Sequence, residues 1–393
     1  MAAPSRCRDA HTHLSAGAWE LSDCDLRDAG SLREIVERVA RAAGSRPSGE
    51  WIRGWGWCPE ILGDPDAADA ALCRAVKGRP VVLGRSDGHA AWLSAAAAEA
   101  LGLGRASQVV VGESFDAARR RLPAPTPSEL EAALLARIEE LAAAGVTMVD
   151  DFVEPWGPEA WARAGSRVAG LAAGLWLPES TGHRDAEALR RAMPPRDRRL
   201  AVRGVKVFLD GTLASRTAAL SAPYADAPED MGELRYTRDE IHERIARWAG
   251  HGWPVAIHAI GDRAVSSALD ALASAPRPSW GAHRIEHAQV VRRVDLPRFA
   301  AVGVVASVQP GHWRDDRAFL SSRIGARDDV VVHPLGSLVR AGATVLFGSD
   351  WPVSSWNPGT VLGAACDPDR GVEALVPEVA RHLMAAPSDT PPA

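Results

Sequence analysis

Residues 237–261 read TRDEIHERIARWAGHGWPVAIHAIG. Thr237 and Glu240 have the spacing of a capping box, Ile241, Ile245 and Trp248 recur on one helical face, and Gly250 supplies a stop. A short apolar run follows at 254–259, PVAIHA, without the polar alternation of a half-exposed strand. Such a strand must be covered on both faces, which is the situation of parallel strands flanked by helices. The stretch therefore predicts one unit of a βα repeat. The same grammar occurs at 128–152, SELEAALLARIEELAAAGVTMVDDF, with Ser128 and Glu131 as the box, Leu130, Leu134, Ile138 and Leu141 as the stripe, and Gly145 as the stop. A third helix is predicted in SLREIVERVARAAG, with Ser31 and Glu34 as the box, Ile35, Val36 and Val39 as the stripe, and Gly44 as the stop.

Working outward, eight runs qualify as buried strands: 6–13, 146–151, 168–177, 201–209, 254–259, 282–287, 303–309 and 344–350. Eight parallel strands with helices between them predict an α/β fold of the (β/α)8 TIM-barrel type, whose chemistry sits at the C-terminal strand ends. An open doubly wound sheet is the alternative, and its GxGxxG turn is absent. More than 130 residues separate the first two strands, too many for a βα loop, so an insertion of about 14–144 is expected there. It contains a strand-like RPVVLG (79–84) and an alanine-rich helix near 90–101. One barrel over 1–385 and a disordered tail, APSDTPPA at 386–393, complete the expected organisation.

With 393 residues, 46% hydrophobic and 24% charged, the chain is long enough for a large core and too apolar for wholesale disorder. A net charge of −5, with RDRR at 196–199 as a short basic block, disfavours nucleic acid. No run approaches the ~20 apolar residues of a bilayer span, and the N-terminus has no apolar signal region. The expectation is a cytoplasmic protein without a membrane partner. Five cysteines without a CxxC pair argue against a disulfide framework and a thiolate zinc site.

Polar residues cluster at the strand ends: His11 and His13 on the first, Lys206 within the fourth, His258 on the fifth, His287 on the sixth and Asp350 on the eighth. Alternation along a strand puts His11 and His13 on one side, with Thr12 turned away. Imidazoles and carboxylates converging on one opening suit zinc, manganese or iron. Each residue alone reads as an ordinary core or turn residue; their agreement on one end of separate strands is the signal. Lys206 and Lys77 are the only lysines. Burial lowers an amine pKa from its usual ~10.4 and yields the neutral form that adds carbon dioxide as a carbamate, a bridging anionic ligand. A salt bridge to Asp210 is the alternative.

At these residues the chain resembles the amidohydrolase superfamily, in its family-3 branch of YtcJ-like and N-substituted formamide deformylase-like enzymes. The resemblance is carried by DAHTHL, GVKVFLDGTLASRTAAL, HAIGDRAV, RIEHAQ, VASVQPGHWRDD and GSDWPV, in order between about residues 8 and 358, with GRSDGHAAWLS inside the insertion. It implies a one- or two-metal hydrolase, zinc foremost. Positions matching His11, His13 and Asp350 would hold one metal, those matching His258 and His287 the other, and Lys206 would bridge as a carbamate. The implied reaction is attack of a metal-activated hydroxide on a non-peptide amide or formamide carbonyl of a small molecule, with Asp350 moving the proton to the departing nitrogen.

His89 in SDGH and His312 in QPGH are candidates to orient the carbonyl. Asp87, Asp210 and Arg216 are candidates for substrate contact or loop bracing, and Trp313, Trp351 and Trp356 for an apolar pocket wall or packing. The sequence departs from the family in two respects. The flanking β-sandwich is expected to be absent, because only ten residues precede His11 and about forty follow Asp350; a homodimer can cover the exposed barrel bottom. Ser94 stands where the family has an asparagine. Two other readings stay open: a deaminase or cyclic-amide hydrolase, for which Asp262 replaces the usual glutamate, and a trimmed barrel kept as a binding or scaffold protein.

Overall fold

Each of the eight predicted runs is a strand of one parallel sheet. The structure, a computed structural model, describes residues 3–104, 108–165, 170–193 and 199–386. The barrel strands, in chain order, are β1 (Cys7–Thr12), β2 (Val146–Phe152), β3 (Ala172–Pro178), β4 (Leu200–Phe208), β5 (Val255–Ala259), β6 (Arg284–His287), β7 (Val305–Val308) and β8 (Thr344–Phe347). They pair in that order, every ladder parallel. The loop after β8 returns to β1: the Asp350 N–H donates to the His11 carbonyl at 2.7 Å and the His13 N–H to the Trp351 carbonyl at 2.8 Å. Gly348 makes this approach feasible, since a Cβ there would lie 2.4 Å from the His11 Cβ. The fold is an α/β barrel, nearly closed. No helix among the described residues is long and apolar enough to cross a membrane. The predicted start of the third strand at 168–169, RDRR except Arg199, and the tail from 387 lie outside the described residues.

Among the described residues the chain divides into two compact units, Met1–Ser15 with Leu134–Ala393, and Ala16–Ala133. The second has its own four-stranded sheet, in the order Ile52–Trp57, Val81–Arg85, Ala90–Leu93 and Gln108–Val111, of which only the first pairing is parallel. Ile35, Val39, Ile52, Trp57, Leu72, Val81 and Leu83 form its dry core. The alanine-rich helix expected near 90–101 is a correction: Ala90–Leu93 is a strand, and the helix spans only Ala95–Ala100. All four residues of AAWL are buried, so pairing with the neighbouring strands overrides alanine's helical propensity. Ser94 accepts from the Ala97 N–H and so starts the helix.

Helix ends follow local chemistry with small shifts. Thr237 and Glu240 form the expected reciprocal box, and the helix Arg238–Gly250 buries Ile241, Ile245 and Trp248, each worth about 1.5–3 kcal/mol by area. The helix Pro127–Ala143 begins earlier than expected. Thr126 and Glu129, rather than Ser128 and Glu131, exchange the capping bonds, because proline is favoured at the first helical position. At Ser31 only half of the box forms; its side chain caps Glu34, whose carboxylate goes to Gly30 and Arg38.

Candidate metal centre

Strand ends, the loops after them and the helix Pro310–Asp316 bring four imidazoles and one carboxylate together. Nε2 of His11 and Nε2 of His13 each lie 3.3 Å from Oδ1 of Asp350, while Nε2 of His312 lies 3.5 Å and Nδ1 of His287 3.9 Å from its Oδ2. Two overlapping groups could hold a metal ion, His11 with His13 and Asp350, and His287 with His312 and Asp350, the ligand atoms in each lying within 4.8 Å of one another. His258 packs against His287 with ring centroids 4.6 Å apart. His11 and Lys206 meet the same Phe152 ring, at 4.0 Å and 4.2 Å from its centroid. Lys206 Nζ has no hydrogen-bond partner among the described residues, and burial pushes its pKa down to about 8 against the opposing pull of Glu286 and Asp350. The donor set of imidazole nitrogen and carboxylate oxygen fits zinc, manganese or iron.

Two of these residues hold left-handed backbone. Asp350 has φ 57° and His287 φ 75°, followed by Ala288 at 45°. Such conformations cost about 1–3 kcal/mol each and persist where surroundings over-determine them. Around Asp350 the determinant is Asp9. Its carboxylate accepts from the His11 N–H, the Ser349 N–H and the Ser349 hydroxyl, at 3.2, 2.9 and 2.5 Å, stapling β1 to the β8 loop. Around His287 the Ala288 N–H donates to the Ala259 carbonyl and the Val290 N–H to that of Ile260.

A second layer fixes the rings. Nδ1 of His11 meets Oε2 of Glu286 at 2.6 Å, and Glu286 also receives Arg284 at 2.7 and 3.1 Å. Arg284 further donates to Asp150, Ser307 and the Ala10 carbonyl. Burial alone would raise the Glu286 pKa; Arg284 and His11 outweigh it and hold the group near 2. Nδ1 of His13 faces the Phe152 carbonyl at 3.1 Å and Nδ1 of His287 faces Oε1 of Gln309 at 2.8 Å. Each ring therefore gives its Nδ1 proton to an oxygen and keeps its lone pair on Nε2. His258 is reversed: its Nε2 meets the Gly211 carbonyl at 3.0 Å, which makes Nδ1 the lone-pair nitrogen. Burial lowers the pKa of His11 and, more strongly, of His287, keeping both neutral.

A profile of the amidohydrolase family matches residues 8–371. The chain belongs to the amidohydrolase family. It is 26% identical to the putative amidohydrolase YtcJ of Bacillus subtilis, over 97% of this chain and 74% of that protein. It is 25% identical to N-substituted formamide deformylase of Arthrobacter pascens, over 93% and 75% respectively. An uncharacterized metal-dependent hydrolase from Pyrococcus furiosus superposes with TM-score 0.75 at 30% identity, over 96% of this chain and 80% of that one. The chain spans 66 to 75% of the length of these curated relatives and of a third, plant protein.

In this amidohydrolase the remaining sequence candidates have other attachments. Asp210 is wholly buried and accepts from the backbone N–H groups of Ala219, Ile260 and Gly261, so it braces two loops and makes no salt bridge with Lys206. Arg216 pairs with Asp226 at 3.0 Å. Trp351 is buried and stacks on Trp356 at 5.0 Å, and Trp313 carries Arg370 at 4.6 Å from its centroid, so these rings pack. Asp262 accepts from the Ser221 N–H and pairs with Arg327 at 3.1 Å. Asp87 and His89 belong to the Ala16–Ala133 unit, where Asp87 accepts from Arg85 and from the His89 N–H.

The sequence reading missed Asp9, Arg284, Glu286, Gln289 and Gln309. A signal existed for one pair: Arg284 and Glu286 are charged and alternate within a buried strand, so they share a face and must neutralise each other. By the same alternation His287 belongs to the opposite face, and only the left-handed turn at 287–288 brings it back to Asp350.

Proposed function

We propose that this amidohydrolase cleaves a non-peptide carbon–nitrogen bond, an amide or formamide, in a small molecule. One or two divalent cations, zinc foremost, would be held by His11, His13 and Asp350 and by His258 and His287, with Lys206 as a carbamate between them. The observation that carries the reading is a pair of buried atoms, Nε2 of His11 and Oδ1 of Asp350, that have no hydrogen-bond partner among the described residues yet lie 3.3 Å apart. Two buried electron-pair donors face to face are unfavourable unless a cation lies between them. Oδ1 of Asp350 is also 3.3 Å from Nε2 of His13, so the same space offers three donors.

When bound, a divalent cation supplies Lewis acidity, which lowers the pKa of water and polarises a carbonyl. The residues do the rest. The water oxygen bonds to the carbonyl carbon, Asp350 takes the water proton, the carbon–nitrogen bond breaks, and the proton passes to the leaving nitrogen, giving a carboxylic acid and an amine. His11 and His13 are held rigidly for this by Glu286 and the Phe152 carbonyl. The lowered pKa of Lys206 supports the carbamate, since a larger neutral fraction is available to carbon dioxide. The formamide deformylase among the relatives supports the bond type.

Element analysis of the purified protein, followed by a screen of formamides, N-acyl amines and cyclic amides, tests the reading. At least about half an equivalent of zinc, manganese or iron is expected, with turnover of one of these classes. A smaller metal content, unchanged after zinc or manganese supplementation, would favour a scaffold instead.

A further inference from the structure

Among the imidazoles around Asp350, His312 differs in what meets its Nδ1. Where His11, His13 and His287 present Nδ1 to an oxygen, Nδ1 of His312 lies 3.1 Å from Nε2 of Gln289. An amide nitrogen carries two hydrogens and offers no lone pair, so His312 must accept there. A neutral ring that accepts on Nδ1 carries its proton on Nε2. That Nε2 is buried, has no hydrogen-bond partner among the described residues and lies 3.5 Å from Oδ2 of Asp350. A protonated nitrogen cannot ligate a cation. It can donate.

The backbone holds Gln289 where this requires. The left-handed pair His287 and Ala288 turns the chain directly before it. The His333 N–H donates to the Gln289 carbonyl at 2.6 Å, and Val290 starts a short antiparallel ladder with Val332. Gln289 and His312 are 5% and 6% exposed, which keeps water from competing for Nδ1. Gln309 is oriented the other way, its amide nitrogen on the Ser307 carbonyl and its oxygen on His287. Two glutamines thus give two neighbouring histidines opposite tautomers.

We propose that Gln289 is a positioning residue that locks His312 as the Nε2–H tautomer, so that His312 serves the centre as a hydrogen-bond donor to the substrate's carbonyl oxygen and not as a metal ligand. The catalytic part rests on the hydrolase reading above; the tautomer does not. An N–H aimed at the oxygen on which charge develops stabilises the transition state more than the ground state.

The test is long-range proton–nitrogen NMR on protein labelled with nitrogen-15 histidine, first metal-free and then loaded with cadmium-113, with His312→Asn assigning the ring. In metal-free protein His312 is expected to show a bare Nδ1 and a protonated Nε2. On loading, cadmium coupling is expected at His11, His13, His258 and His287 and to be missing at His312. Gln289→Glu, which can only accept, should move a proton onto Nδ1 of His312, while Gln289→Met should give a mixture of tautomers. A proton on Nδ1 in the wild type, cadmium coupling to His312, or an unchanged His312 spectrum in folded Gln289→Glu would each overturn the proposal. Cadmium coupling to no histidine would instead overturn the metal reading and leave the metal-free spectrum to decide the role of Gln289.

Discussion

The two compact units use charge in opposite ways. Inside the barrel, Asp150, Arg284 and Glu286 are buried in one connected network that ends on His11. In the Ala16–Ala133 unit the core is apolar, and ion pairs such as Arg33 with Glu37 and Arg38 with Asp28 and Glu34 sit at its surface. Burying charge is costly, and removing one partner from a buried pair is costlier still. Exposed pairs add little. A fold seeking only stability would resemble the insertion throughout; the barrel carries the burden where ring nitrogens have to be aimed.

Substitutions can break this contrast, beginning with the largest effect. Asp350→Asn removes the proton carrier proposed above and the negative charge among the three converging donors. Turnover of the best substrate should fall about 10²- to 10⁴-fold, with the circular dichroism spectrum unchanged. Leu72→Ala, in the wholly buried core of the insertion, exchanges one good helix former for another and leaves a cavity. Chemical denaturation should show a loss of about 2–5 kcal/mol, and metal content should not change.

Acid provides the next test. The folded-state pKa of Glu286 is near 2, below the usual value of 4.5. Its contribution, about 3 kcal/mol by linkage, is complete above the unfolded value and is lost as pH falls through the folded one. Denaturation midpoints between about pH 5 and pH 2 should therefore fall more steeply in the wild type than in Glu286→Gln. That variant should also bind metal about 10- to 100-fold more weakly in competition with a chelator, because His11 loses the carboxylate that orients it. At the small end, Arg33→Ala should leave the melting temperature unchanged within error. A shift there would mean that the surface pairs of the insertion are coupled as tightly as the barrel's network.

Much of the architecture was legible because it rests on local rules. The eight barrel strands follow from doubly apolar runs between capped helices, and His11, His13, His258, His287 and Asp350 from polar residues at the ends of those runs. The strand Ala90–Leu93 was not, since AAWL favours a helix until its neighbours pair with it. The pairing of Lys206 with Asp210 read plausibly from nearness in sequence, yet Asp210 accepts from three backbone N–H groups of two separate segments and lies 3.5 Å from Nε2 of His258.

The amino-acid order by itself determined that eight covered strands exist and that imidazoles and a carboxylate stand at their ends, because hydrophobic period and capping act over a few residues. The tertiary structure alone decided which nitrogen of each ring carries the proton. That depends on what faces the other nitrogen: Glu286, 275 positions from His11, and Gln289, 23 positions from His312. A proton goes to the ring atom that meets an acceptor and leaves the one that meets a donor, and such partners from distant segments meet only once the barrel has closed.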